Sequence, residues 1–250
     1  MSRVLVVLYG VVSYGVFLGV FLYAVGFIGG FGAPTLLDGA QRAPFGHVIM
    51  VDFALLGGFA VQHSGMARPA FKRWLTRFMP EAAERPTYVL MTCVALIALF
   101  AFWQPFGGMV WDVTDPNARV ALYALYGFGW ALLLYCTFLI DHFDLFGLKQ
   151  VWRFFTGKAY QPPQFRTPML YRLVRHPLYV GWLIIFWATP TMGFAHLFFA
   201  VATTAYILIA IQLEERDLKA MHPEYAEYKR TTPMLIPRLT PKPESLRRIA

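Results

Sequence analysis

Charge is scarce in this sequence. Acidic and basic side chains make up 14% of its 250 residues, against about 25% in an ordinary soluble domain, which excludes a water-solvated surface around most of the chain. Cysteine is scarcer still. Cys93 and Cys136 each lie inside an apolar run, without the Cys-x-x-Cys spacing or adjacent histidine that redox and zinc sites use, and no metal is expected. There is no internal repeat and no low-complexity linker, so residues 1–250 are read as a single membrane-embedded domain. What is plentiful is apolar surface: 58% of the residues are hydrophobic and 17% aromatic. The formal net charge of +8 does not point to nucleic acid, because the basic residues cluster between apolar runs. That distribution reads as a membrane-orientation signal and an attraction to anionic lipid headgroups.

A bilayer core of about 30 Å needs about 20 apolar residues in a helix. Four runs of that kind cover residues 4–28, 45–62 (interrupted by Asp52), 87–106 and 120–140, so residues 1–140 are expected to hold four transmembrane helices. The first has only Arg3 as a basic flank and no convincing small-x-small cleavage site after it, and is read as a retained helix. A fifth uncharged stretch, 178–213, would be about 54 Å long as one helix, too long for the bilayer. It is predicted to fold back at Pro190 and Gly193, where proline lacks an amide donor and glycine accepts turn geometry. The fold class is therefore an all-α integral membrane protein of about five transmembrane helices, with a short arm completing a C-terminal helical hairpin.

Orientation follows from lysine and arginine in the connecting segments. Arg68, Lys72, Arg73, Arg77 and Arg85 lie between runs two and three; Asp112 and Asp115 lie between runs three and four, with Arg119 at the end. Basic residues return after run four (Lys149, Arg153, Lys158, Arg166, Arg172, Arg175) and after the hairpin (Arg216, Lys219, Lys229, Arg230, Arg238, Lys242, Arg247, Arg248). The basic segments and both termini are thus expected in the cytoplasm.

Two polar clusters flank the hairpin where membrane meets water: Arg175-His176-Pro177-Leu178-Tyr179-Val180-Gly181 before it and Glu214-Glu215 after it, the latter followed by Leu218, His222, Tyr225, Tyr228, Pro233 and Pro237. Fold-back would make them neighbours. By themselves they read equally well as anchors of the helix ends at the membrane interface or as a ligand site in which Arg175 and His176 meet a carboxylate, Glu214 and Glu215 an amino group and hydroxyls, and Tyr179, Tyr225 and Tyr228 an aromatic ring or a cation. Gly181 would let backbone come close.

In order and spacing these segments resemble the isoprenylcysteine carboxyl methyltransferase and nurim-like membrane superfamily, whose signature is Arg-His-Pro-x-Tyr-x-Gly, a helix hairpin, Glu-Glu-x-x-Leu and a His/Gly-x-x-Tyr-x-x-Tyr segment. The resemblance implies a cytoplasmic cofactor site within residues 141–250, Pro177 included. In the isoprenylcysteine branch an arginine stands four residues before the first glutamate; here the position is Ala210, which suits an acceptor without a carboxylate. The segments His63-Ser64-Gly65-Met66-Ala67-Arg68-Pro69, Glu84-Arg85-Pro86-Thr87-Tyr88 and Asp141-His142-Phe143-Asp144 look like those of the bacterial methanethiol S-methyltransferases. That likeness implies methyl transfer from S-adenosylmethionine to a small thiol, at the bacterial inner membrane, giving dimethyl sulfide and S-adenosylhomocysteine. Small size should limit the thiols accepted. The alternatives are a methyltransferase for a prenylated or lipid substrate and a non-enzymatic nurim-like protein.

Thiolate is the competent nucleophile, so a base is expected near the cofactor. Candidates are His142, Asp52 and His63, with Asp141 also near; His47, Asp144 and Ala210 are expected on the substrate side. Asp52 draws attention because an intramembrane carboxylate is costly to bury.

Overall fold

The computed structural model describes residues 2–238; Lys242, Arg247 and Arg248 lie outside the described residues. The chain is mostly helical: α1 (Arg3–Gly29), α2 (Phe45–Met66), α3 (Pro69–Leu75), α4 (Glu84–Phe102), strand β1 (Met109–Asp112), α5 (Pro116–Ile140), α6 (His142–Leu145), α7 (Leu148–Phe155), α8 (Pro177–Trp187), strand β2 (Thr191–Gly193), α9 (Phe194–Met221) and α10 (Tyr225–Thr231). Among the described residues five helices are long and apolar enough to cross a membrane, and α8 is a shorter apolar helix. This is a multi-pass membrane protein.

Local chemistry sets the helix ends. Ser2 Oγ accepts the Leu5 amide at the start of α1, and Asp115 Oδ1 accepts the Ala118 amide at 2.8 Å, with Pro116 in the first turn of α5. Each satisfies an amide that the helix leaves without a partner.

Opposite ends of the bundle differ in composition. At one end Val6 packs against Ala83 and Val151, Arg68 pairs with Asp217 at 2.8 Å, and Lys149 pairs with Asp141 at 2.5 Å. Burial opposes the charge of Asp141, yet the Lys149 ammonium and the Asp144 amide hold its carboxyl below the usual range. At the other end β1 and β2 form an antiparallel pair that the sequence did not announce, and Asp112 accepts from Thr191 at 2.7 Å and Arg119 at 2.9 Å.

The chain reverses where Pro190 and Gly193 stand, for a different reason from the one expected of the glycine. Gly193 has an ordinary extended backbone (φ −84°, ψ 173°). It is needed for space: a Cβ there would lie 2.2 Å from Asp38 Oδ1, and that carboxylate accepts the amides of Gly193 and His196 at 2.8 and 3.0 Å. The two arms of the hairpin also do not pack chiefly on each other. α8 lies mainly along α5, where a Cβ on Gly181 would come within 3.1 Å of Gly129 O and one on Gly129 within 2.9 Å of Ile185. Small residues let the two backbones approach, as in other membrane helix pairs.

Candidate functional site

Fold-back joins the two polar clusters. Glu215, 2% exposed, receives Arg175 Nε at 2.7 Å and His176 Nε2 at 2.9 Å on Oε1, with Lys229 Nζ 2.6 Å from Oε2. Arg175 also donates to the carbonyls of Lys229 and Thr232, tying the segment after α10 to the start of α8. Burying a carboxylate is costly unless its charge is answered and hydrogen-bonded; here Arg175 and His176 hydrogen-bond to Oε1 and the Lys229 ammonium answers the charge beside Oε2. Glu214 is different. Its side chain is 46% exposed, accepts from Tyr179 Oη at 3.0 Å through Oε2 alone, and lies 4.0 Å from His176 Nδ1.

Arg175, His176, Tyr179 and Glu214 line the mouth of a cavity of about 770 Å³ that continues deep between α1, α2, α4, α5, α8 and α9, with Glu215 behind them. The wall contributed by α9 shows helical spacing: Phe199, Thr203, Tyr206, Ala210, Glu214 and Asp217 all face the cavity. At the mouth Phe165 packs on His222, Tyr225 and Tyr228, with ring centroids 5.5, 5.7 and 5.6 Å away. Burial pushes the phenols of Tyr171 and Tyr225 up and that of Tyr228 to about 12, so all three remain protonated at neutral pH. Tyr228 Oη donates to Tyr171 O at 2.5 Å. The Tyr225 hydroxyl is buried with no partner among the described residues.

Farther in, a second polar group spans α2, α4 and α9. Tyr88 Oη lies 2.9 Å from His63 Nε2 and 3.1 Å from Nδ1, and Thr92 Oγ1 is 3.2 Å from Nδ1. Phe59 stacks on the imidazole at 5.3 Å, and the Arg85 guanidinium sits 5.1 Å from the centre of the Tyr88 ring. Ser64 Oγ and Tyr206 Oη are 3.0 Å apart.

Several residues expected at the site stand elsewhere. His142 is 3% exposed and off the cavity wall. Thr137 spends its proton on Leu134 O at 2.6 Å, so its Oγ1 must accept from His142 Nδ1 at 2.8 Å, and Nε2 accepts from Tyr14 Oη at 2.8 Å. This neutral tautomer has both nitrogens committed, and burial pushes its pKa down. Asp52, wholly buried, accepts the Gln104 amide at 2.9 Å just after α4 ends. It lies about 16 Å from His63 along α2 and off the cavity wall, and its Oδ2 is buried with no partner among the described residues. His47 is exposed in the first turn of α2, at the end away from the polar clusters. Asp144 accepts from Tyr160 Oη at 2.8 Å and is not on the cavity wall. Pro177 opens α8, and Gly181 makes its close approach to α5 rather than to the cavity. Ala210 does face the cavity.

Tyr88, Tyr171 and Tyr206 were not singled out from the sequence for this wall. The pairs Tyr88/Thr92 and Tyr206/Ala210, four residues apart on one helix face, were the available signal.

Fold and site together define a multi-pass helical membrane protein that joins a charged, tyrosine-rich mouth to an apolar interior. Over 238 residues the chain is 50% identical to methanethiol S-methyltransferases from Crocosphaera subtropica (95% of this chain, 93% of the relative) and Mycobacterium tuberculosis (95% and 98%). It is 31% identical to nurim from Bos taurus over 201 residues, 75% of this chain and 76% of nurim. The chain belongs to the methanethiol S-methyltransferase family. No family model matches it, and no solved structure matches it.

Proposed function

We infer that the protein transfers a methyl group from S-adenosylmethionine to methanethiol, yielding dimethyl sulfide and S-adenosylhomocysteine. The single observation behind the chemistry is that one cavity joins the cluster of Arg175, His176, Glu214 and Glu215 to the His63–Tyr88 pair and an apolar interior; the names of the relatives supply the acceptor.

The residues at the mouth fit such a donor. Glu214 has a free carboxylate oxygen for an amino group or ribose hydroxyls, Tyr225 has a buried, unsatisfied hydroxyl, and Tyr171 and Tyr228 offer ring faces to adenine. When bound, S-adenosylmethionine supplies a methyl group on a sulfonium. Glu215 acts from behind, fixing Arg175 and His176 so that His176 Nδ1 points toward Glu214. His63 is the one of the three expected base candidates on the cavity wall. With Tyr88 it takes the thiol proton, because sulfur attacks as thiolate, and the aromatic walls hold the small acceptor in line. Residues 141–250 supply most of the donor side, and the helices within 1–140 supply the proton acceptor.

Purified protein given S-adenosylmethionine and methanethiol should release dimethyl sulfide, measured by headspace gas chromatography. A prenylcysteine should gain no methyl ester, because Ala210 offers its carboxylate no charge partner. Carboxyl methylation without dimethyl sulfide would overturn the assignment.

The donor site and both termini belong, in this reading, on the cytoplasmic side, where the basic segments gather. An impermeant thiol reagent added outside whole cells should then label Asp112→Cys and leave Lys72→Cys unlabelled. The reverse pattern would invert the topology.

A further inference from the structure

The cavity does not stop at the His63–Tyr88 and Ser64–Tyr206 groups. Phe199 lines it seven residues before Tyr206 on α9, about 10 Å farther in at the helical rise of 1.5 Å per residue. Ala24, Ile28, Cys93, Leu96 and Phe100 also line this inner part. None of these six side chains carries a charge, and the thiol of Cys93 is the nearest to a polar atom among them. A one-carbon thiol held against Tyr88 would leave such a chamber unfilled. Apolar cavities of this kind stay dry and favour an apolar guest, and each methylene moved from water into one is stabilised.

We propose that the inner chamber is a binding site for the alkyl group of the acceptor, so that the protein methylates straight-chain alkanethiols of several carbons at least as well as methanethiol. The proposal rests on the reading that thiols are the acceptors, and it reverses the expectation that small size limits them. The chemistry is unchanged. The thiol proton leaves to the His63–Tyr88 pair, and the sulfur lone pair forms the new S–CH3 bond. The pair of the broken C–S bond returns to the donor sulfur, which becomes the neutral thioether of S-adenosylhomocysteine. The alkyl chain extends inward past Tyr206 toward Phe199.

Two measurements on the full-length protein in detergent test this. Initial rates with methane-, propane-, butane- and hexanethiol should give a kcat/KM that holds or rises with length, by up to about fourfold per methylene; a fall from methanethiol to hexanethiol overturns the proposal. Filling the chamber with Ala24→Phe, or independently with Leu96→Trp, should lower the ratio of hexanethiol to methanethiol turnover by about tenfold or more, and an unchanged ratio in both folded variants also overturns it. The second measurement needs no donor. Methyl methanethiosulfonate modification of Cys93, followed by mass spectrometry, should slow severalfold with hexyl methyl sulfide and hardly at all with dimethyl sulfide. Equal rates overturn the chamber assignment. If no thiol is turned over, methanethiol included, the functional reading fails, and Cys93 protection still decides the chamber.

Discussion

Replacing Glu215 by alanine is expected to abolish measurable binding of S-adenosylhomocysteine, a loss of about a hundredfold or more, and to lower thermal stability as well. The reason is the asymmetry of buried ion pairs. Arg175, 9% exposed in its side chain, would keep its charge with no carboxylate to answer it, and removing one partner of such a pair costs about 3–5 kcal/mol. That penalty falls on the contact between the start of α8 and the end of α10, because Arg175 also holds the carbonyls of Lys229 and Thr232. Glu214→Gln provides the contrast. Its side chain is half exposed to the cavity, so the substitution should weaken ligand binding without a comparable loss of stability. Calorimetric titration beside thermal denaturation separates the two, and wild-type affinity in a folded Glu215→Ala protein would remove this cluster from the donor site.

Tyr88→Phe is expected to lower kcat for methanethiol by about 10²–10⁴-fold, the usual contribution of a positioned acid or base, while affinity for S-adenosylhomocysteine stays within a factor of about two. His63→Ala should do the same, and the double variant should be hardly worse than either alone, because the two act as one unit across a 2.9 Å contact. Raising the pH should partly restore the rate of both variants by supplying thiolate from solution. A structural defect would not respond to pH in that way. Wild-type turnover by Tyr88→Phe would dismiss the pair as the proton acceptor.

How much of this was visible in the chain depended on the range of the physics involved. The 178–213 stretch was too long for one helix and carried its own break, so the reversal could be read from length alone. Fold-back then made neighbours of Arg175-His176 and Glu214-Glu215, and the contacts of 2.7 and 2.9 Å follow. The division of labour between the two glutamates was not readable. Successive residues on a helix point about 100° apart, so one of the pair faces the protein and the other the cavity, and the rotation of α9 determines which.

The intramembrane polar residues show the same limit. Asp52 and His142 looked catalytic because an unanswered polar group in an apolar run is expensive, yet the amide of Gln104 that meets one oxygen of Asp52, and the Thr137 and Tyr14 that meet His142, belong to loops or helices distant in the chain or lie unmarked within apolar runs. His63, equally ambiguous as a letter, is turned to the cavity. Span number, the separation of basic from acidic ends and the order of the motifs came from local composition and spacing, since hydrophobic length and charge act residue by residue along the chain. The cavity and its depth, the pairing of His63 with Tyr88 and the commitment of Glu215 depend on how five long helices and one short one are rotated against each other, a packing property that no single segment contains.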